Sequence, residues 1–423
     1  MSVSVFISHS TSTIPEHAAF CRAIHDCLTA AKLNVFLDEK NVEIGAHWRD
    51  VIFGSLAECN AAVLLVNEKA MSASDWVDTE ARILCWRAWV ERKHFRVVII
   101  PFGGVTRQQI AEHKPWQPLA LAEVQMIPAA GTLEIDDPEA VKAVVADVIK
   151  LLTSMPDHEG SRAGEAWIVN TLCSFLPAKL ADLKRVAIDL GIATDCSESA
   201  LRKAVAKWMY DTGPAALRIL LDLLVRPIPT RDREFLLELL STHWIDPRAS
   251  TSILRYCIRE ATGQIFAINA AKQWFTPRAY VQQLRRSSVV WPVIPIDKKR
   301  SRSEILGDIR SDLRNAYIKP LRKLMRKPER AKADVIDPML NELLEEDAKR
   351  DDFVFVALPP EAAHDAKLIA AIHETWKWLR VIVCTGTVQG KNPLPAVPMI
   401  EPQLDIHLEE EESKSYLAAA KLT

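Results

Sequence analysis

The chain has 423 residues, 49% hydrophobic and 26% charged, a length and balance that suit two to four globular domains. Lysine plus arginine (53) nearly match aspartate plus glutamate (55), giving a net charge of −2, which excludes a global field directed at nucleic acid or anionic membrane. With only 13 glycines, an all-β architecture built on many tight turns is disfavoured.

The eight cysteines, Cys21, Cys27, Cys59, Cys85, Cys173, Cys196, Cys257 and Cys384, are scattered, without a CxxC pair or clustering with histidine. They read as mostly buried thiols of a reducing compartment. The opening "MSVSVFISHS" lacks the basic region and long apolar stretch of a signal peptide. No run of about 18 apolar residues occurs. The expected setting is cytoplasmic, without a membrane span.

In chain order, "VSVFIS" is a short apolar, β-branched run that predicts a buried strand. "IPEHAAFCRAIHDCLTAAK" places Phe20, Ile24, Cys27, Leu28 and Ala31 on one helical stripe. "LNVFLDE" predicts the second strand, "KNVEIGAHW" a polar loop, "RDVIFGSLAEC" a helix and "NAAVLLVN" the third strand. "SASDWVDTEARIL", Ser72 to Leu84, predicts the third helix with Glu80 in its middle. "FRVVIIPFG", "LAEVQMIP" and the helix "DDPEAVKAVVADVIKLLTS" complete five β–α repeats. Continuous apolar strands between helices mean a parallel sheet covered on both faces. Ligands of such sheets bind beyond the carboxyl ends of the strands.

Three of these segments, "VFISHS", "VFLDEKNVEIGAHW" and "SASDWVDTEARIL", resemble in order and spacing a TIR domain (Toll/interleukin-receptor type), over about 155 residues. The resemblance implies a flavodoxin-like α/β fold with a five-stranded parallel sheet. It leaves two functions open, a scaffold that only assembles and an enzyme that cleaves NAD+. The enzymatic group carries a glutamate on the third helix, a few residues after a serine and a tryptophan; Glu80 matches it, with Ser72 and Trp76 ahead. Without the resemblance, Glu80 would read as one more solvated carboxylate.

The resemblance also implies roles for the neighbours. Ser8 and His9 end the first strand, as nucleotide-pocket lining or as strand-end caps. Asp38 ends the second strand at the same edge, as pocket residue or Asx turn. Gly45 and Trp48 lie in the loop that moves on assembly and ligand entry, Trp48 either stacking on the substrate or packing at a helix start. Trp76 reads as core or as substrate contact, and its bulk would aim the turn bearing Glu80. Trp86 and Trp89 read as packing. NAD+ is the implied substrate, and no cofactor or metal is expected. Such enzymes are quiet as monomers and active once their TIR domains self-associate; by analogy the setting is a bacterial anti-phage defence that depletes NAD+.

"SMPDHEGSRAGE" reads as a linker. "AWIVNTLCSFLPAKLADLKRVAIDLGI", "SESALRKAVAKWMYDTG" and "PAALRILLDLLVRP" predict a compact helical set, with Ser197 and Ser199 as candidate N-caps and Gly213 as a stop. This set resembles death-like, effector-associated domains that pair with copies of themselves on partner proteins. Beyond it, "QIFAINA", "SSVVWPVIPID", "DDFVFVALP" and "LRVIVCTG" are strand-like among helices. In the basic stretch from Lys298 to Lys332, Ile305, Ile309, Leu313, Tyr317 and Leu321 fall four apart. That predicts one buried face, and a charged face that is either solvated and balanced by acids such as "LNELLEED" or a groove for an anionic partner.

"CTGTVQGKN" is not a phosphate loop: Gly386 and Gly390 enclose three residues, and Asn392 stands where a hydroxyl is needed. The last third resembles degenerate relatives of signalling ATPases, and "EEEE" at 409–412 is expected on an exposed tail. The expected architecture is α/β: a TIR domain at 1–155, a linker at 156–165, a small all-α adaptor module at 166–227, and a mixed α/β sensing or assembly domain at 228–423. A partner protein or nucleotide signal would act at 166–423. The rival readings are a non-catalytic TIR scaffold, and a sensor subunit gated by nucleotide or nucleic acid.

Overall fold

A computed structural model of the protein describes residues 3–10, 14–38, 48–72, 75–91, 95–113, 124–128, 131–155, 165–223, 228–257, 263–285, 291–296, 301–325, 328–350, 352–362, 365–386, 397–401 and 403–421. The chain divides into two compact units, Met1–Trp167 and Ile168–Thr423.

The first unit alternates strand and helix: β1 (Ser4–His9), α1 (Pro15–Ala30), β2 (Asn34–Phe36), α2 (Trp48–Glu58), β3 (Ala61–Val66), α3 (Glu68–Ser72), α4 (Asp75–Glu91), β4 (Arg96–Pro101), α5 (Arg107–Glu112), β5 (Gln125–Met126) and α6 (Pro138–Thr153). The strands pair in parallel in the order β2-β1-β3-β4-β5. Because strand side chains alternate, each apolar strand feeds two cores. Val5, Ile7, Val63, Leu65, Val98 and Ile100 pack with Phe20, Ile24 and Leu28 of α1 and with Val144, Val148 and Leu152 of α6. α2 and α4 pack on the sheet as well, against β1 and β4. This is the five-stranded, flavodoxin-like α/β arrangement expected from the sequence. One local detail differs: Ser72 ends α3, and the helix that carries Glu80 begins anew at Asp75.

The second unit begins mostly helical: α7 (Glu165–Cys173, within which the division falls), α8 (Leu180–Asp189), α9 (Glu198–Thr212), α10 (Ala215–Leu223), α11 (Thr230–Leu240) and α12 (Pro247–Cys257). Ser197 is the N-cap of α9, its hydroxyl accepting from Ala200 N at 3.3 Å, while Ser199 lies inside the helix. Gly213 stops α9 at φ +68°, and a Cβ there would stand 2.2 Å from the His243 ring, so both backbone and packing require glycine.

A second parallel sheet follows: β6 (Ile265–Ile268), α13 (Thr276–Arg285), β7 (Val293–Pro295), α14 (Arg302–Ala316), α15 (Ile318–Leu324), α16 (Ala333–Ala348), β8 (Phe355–Leu358), α17 (Ala366–Thr375), β9 (Arg380–Cys384) and α18 (Ile406–Ala420). Its order is β6-β9-β8-β7. The predicted stripe Ile305, Ile309, Leu313, Tyr317 and Leu321 is buried in this unit's core with Ile336, Leu340 and Leu344. Among the described residues of its basic side, three arginines pair within the unit: Arg310 with Asp337 through two bonds of 2.7 Å, Arg302 with Asp365 and Arg322 with Glu329. These pairings favour the balanced-face reading over an anion groove, although the acids differ from those expected. Within "LNELLEED", Asp347 instead accepts the Tyr317 hydroxyl at 2.6 Å.

The expectation of an exposed acidic tail is corrected. "EEEE" lies in α18, and Glu409 is 1% exposed. Its carboxylate accepts the backbone N–H of Ala271 (2.9 Å) and Lys272 (2.9 Å) and the Thr276 hydroxyl. The donors sit just past β6, and their hydrogen bonds offset the cost of burying a charge.

Candidate active site

In a parallel sheet of order 2-1-3-4-5 the order of strand addition reverses between β1 and β3, and the crevice at their carboxyl ends is where such folds hold ligands. In this protein that edge carries polar side chains from four elements. Phe6 and Ser8 share one face of β1, and Ile7 and His9 the other. Ser8 faces α4: its Oγ donates to Glu80 Oε2 at 2.5 Å, 72 residues away in sequence. Both are buried, Ser8 at 1% and Glu80 at 4% exposure. His9, also buried, meets Asp38 through Nε2 and Oδ1 at 2.9 Å, tying the ends of β1 and β2. The adjacent residues thus address separate partners on opposite faces.

A third contact set was not anticipated. Asn67, directly after β3, accepts the Ser10 hydroxyl at 2.9 Å and the Ala70 N–H at 2.9 Å through the same Oδ1. Its Nδ2 donates to His17 Nδ1 of α1 at 3.2 Å. Asn67 is therefore the N-cap of α3 and a bridge across the reversal point. Gly103, at φ +62°, lies alongside; a Cβ there would come within 3.3 Å of His17 and 3.8 Å of Asn67. The sequence signal for Asn67 was slight: an amide where an apolar strand ends.

The helix bearing Glu80 is anchored two turns further on. Arg87 is buried, donates to Leu56 O at 2.7 Å and to Cys59 Sγ at 3.3 Å, and lies 4.0 Å over the Phe95 ring. Residues seven apart share a helix face, so this clamp fixes the face that presents Glu80. Beside it, burial pushes the Cys85 thiol well above its ordinary value, which keeps it protonated and inert.

Residues 5–142 match the TIR domain family. Comparison with curated proteins finds none that matches. At the family level, a TIR domain acts as an NAD-cleaving enzyme or as an adaptor, and TIR domains commonly self-associate. Within the TIR region, Ser8, His9, Asp38 and Glu80 converge on the carboxyl edge in two pairs. Ser72 is exposed at the end of α3. Trp76 stands one turn before Glu80 on α4, and Trp48 opens α2; the side chains of both, and that of Trp89, lie outside the described residues, as does Gly45. Trp86 is buried, as packing requires. Among the described residues, no helix is long and apolar enough to cross a membrane, and no group of three or more His, Cys, Asp or Glu is placed to hold a metal ion.

Proposed function

We propose that the TIR region is an NAD+ glycohydrolase whose catalytic carboxylate is Glu80. The observation that supports this reading is the buried Glu80 carboxylate, held by Ser8 at the carboxyl end of β1 where the strand order reverses. The chemistry asks little of the protein. The bond between ribose C1′ and the pyridinium nitrogen breaks with its electron pair going to nitrogen, so nicotinamide leaves neutral without a general acid. The ribose becomes oxocarbenium-like, as in glycoside hydrolysis. Water then bonds to C1′ and loses a proton, giving ADP-ribose; capture by another group of the same nucleotide gives a cyclic product. A carboxylate fixed in a water-poor site stabilises the developing cation by about 3 kcal/mol, the scale of one preorganised electrostatic partner.

Around this centre, His9, Asp38, Trp48, Ser72 and Trp76 are proposed nucleotide contacts, with Gly45 in the gating loop. The wider proposal is a cytoplasmic effector of bacterial anti-phage defence, switched on by self-association. Its proposed adaptor module lies at 166–227 and its sensing or assembly domain at 228–423. The test is nicotinamide release from NAD+ at high protein concentration. Wild type is expected to release it. Glu80→Gln, which keeps the side chain's shape, is expected to lose the activity by about 100-fold or more while folding normally. Equal release from the two proteins would remove Glu80 as the catalytic carboxylate, and none from either would leave an adaptor.

A further inference from the structure

We infer that Ser8 is a positioning residue for Glu80 rather than a contact for the substrate, an inference that rests on the NAD+-cleaving reading. A serine hydroxyl has one proton, and Ser8 gives it to Glu80 Oε2 at 2.5 Å, a length typical of O–H donating to an ionised carboxylate. At 1% exposure, Ser8 presents essentially no surface to a ligand. The hydroxyl is therefore spent inside the protein.

What it achieves follows from where it sits. Ser8 belongs to a central strand, opposite Leu64 of β3 and one pleat beyond the β2 pairing at Phe6 and Phe36. Its backbone is fixed in the sheet, unlike a loop residue. Glu80 carries three rotatable side-chain bonds on a helix, so its carboxylate plane is set only by what holds its oxygens. A donor on a rigid strand fixes Oε2, and with it the direction in which Oε1 points. Catalytic groups held this way keep their geometry because their supports do not move. The neighbouring His9 is committed to Asp38 on the other face of β1, so it cannot substitute for Ser8.

The experiment measures kcat and KM for NAD+ in the full chain for wild type, Ser8→Ala, Ser8→Thr, Glu80→Gln and the Ser8→Ala/Glu80→Gln pair, with thermal unfolding of each. Ser8→Ala is expected to lower kcat about 10-fold to 100-fold, the scale of one hydrogen bond to a charged group, with KM little changed. Ser8→Thr, which restores the hydroxyl, is expected to recover much of that loss. The pair is expected to match Glu80→Gln alone, because a residue acting through another adds nothing once that other is gone. A raised KM with kcat intact in Ser8→Ala, or a further loss in the pair, would make Ser8 a substrate contact and overturn the inference. So would unchanged kinetics in Ser8→Ala beside an inactive Glu80→Gln, an outcome that leaves the enzyme reading standing. Equal nicotinamide release by wild type and Glu80→Gln removes Glu80 as the catalytic group and the inference with it, whereas no release from either removes the enzyme reading. If Ser8→Ala fails to fold, kcat in Ser8→Thr decides: an activity below a tenth of wild type in a folded protein counts against positioning by the hydroxyl.

Discussion

Asn67 holds more of the reversal point together than any residue the sequence singled out there. One amide accepts from Ser10 and Ala70 and donates toward His17, so it joins β1, β3, α1 and α3. Asn67→Ala removes the N-cap and leaves a buried hydroxyl without its acceptor. The expected cost is about 1–3 kcal/mol, measured as a lowered urea midpoint for the first unit, with hydrogen-exchange protection failing first across Glu68–Ser72. Unchanged protection there would mean that α3 is held by packing alone. Glu80 itself was legible only through the family resemblance, because propensity and amphipathic pattern treat a helical glutamate as solvated. The Ser8–Glu80 and His9–Asp38 pairs were not legible as pairs. Alternation along β1 tells which face each residue takes but not which distant acid awaits it.

Among the elements, α18 shows how a charged segment can be structural. Besides the seat of Glu409, Glu410 pairs with Lys272 at 2.7 Å, Glu412 meets His243 at 3.3 Å, and Tyr416 donates to Glu238 of α11 at 2.9 Å. Four adjacent glutamates read as wet surface because the N–H groups that receive the buried one come from a loop more than a hundred residues upstream. The Glu238 contact carries a pH signature. Burial raises its carboxyl above the ordinary value, with the Tyr416 hydrogen bond and Arg278 opposing incompletely. The folded state therefore holds the proton more firmly than the unfolded chain. That contribution to stability is full below the ordinary glutamate value of about 4.3 and is lost as pH rises through the raised one. Glu238→Gln, which keeps an acceptor for Tyr416, is expected to be at least as stable as wild type near pH 7, with the difference closing below about pH 4. Urea midpoints of the second unit at the two pH values check this. A variant clearly weaker at neutral pH would show that the charge on Glu238 is favourable.

For the molecule as a whole, the two parallel sheets were unevenly legible: one was expected as a parallel sheet, the other only as strand-like runs in a mixed α/β region. In the first, five apolar runs between helices made the parallel strands legible, while the flavodoxin-like arrangement was implied by the family resemblance and the break before Asp75 was not legible. In the second, the strands were visible but not their order, since nothing local says that β6 pairs with β9 and that β7 lies at the far edge. The proposed activation by self-association predicts a kinetic order: nicotinamide released per mole of chain should rise with protein concentration and level off once assembly is complete. Specific activity independent of concentration over a hundredfold dilution series would mean a site complete in one chain.

The strand order β6-β9-β8-β7 sets a schedule for the nascent polypeptide. Leaving the ribosome, β6 finds no neighbour until β9 has emerged, and the seat beyond β6 stays empty until Glu409 follows. Truncation by a premature stop codon between β6 and β9 leaves Phe266 and Ala267 without their partners Ile382 and Val383. The first unit, whose core closes with Leu152 and Met155, is finished while most of its companion is still being translated.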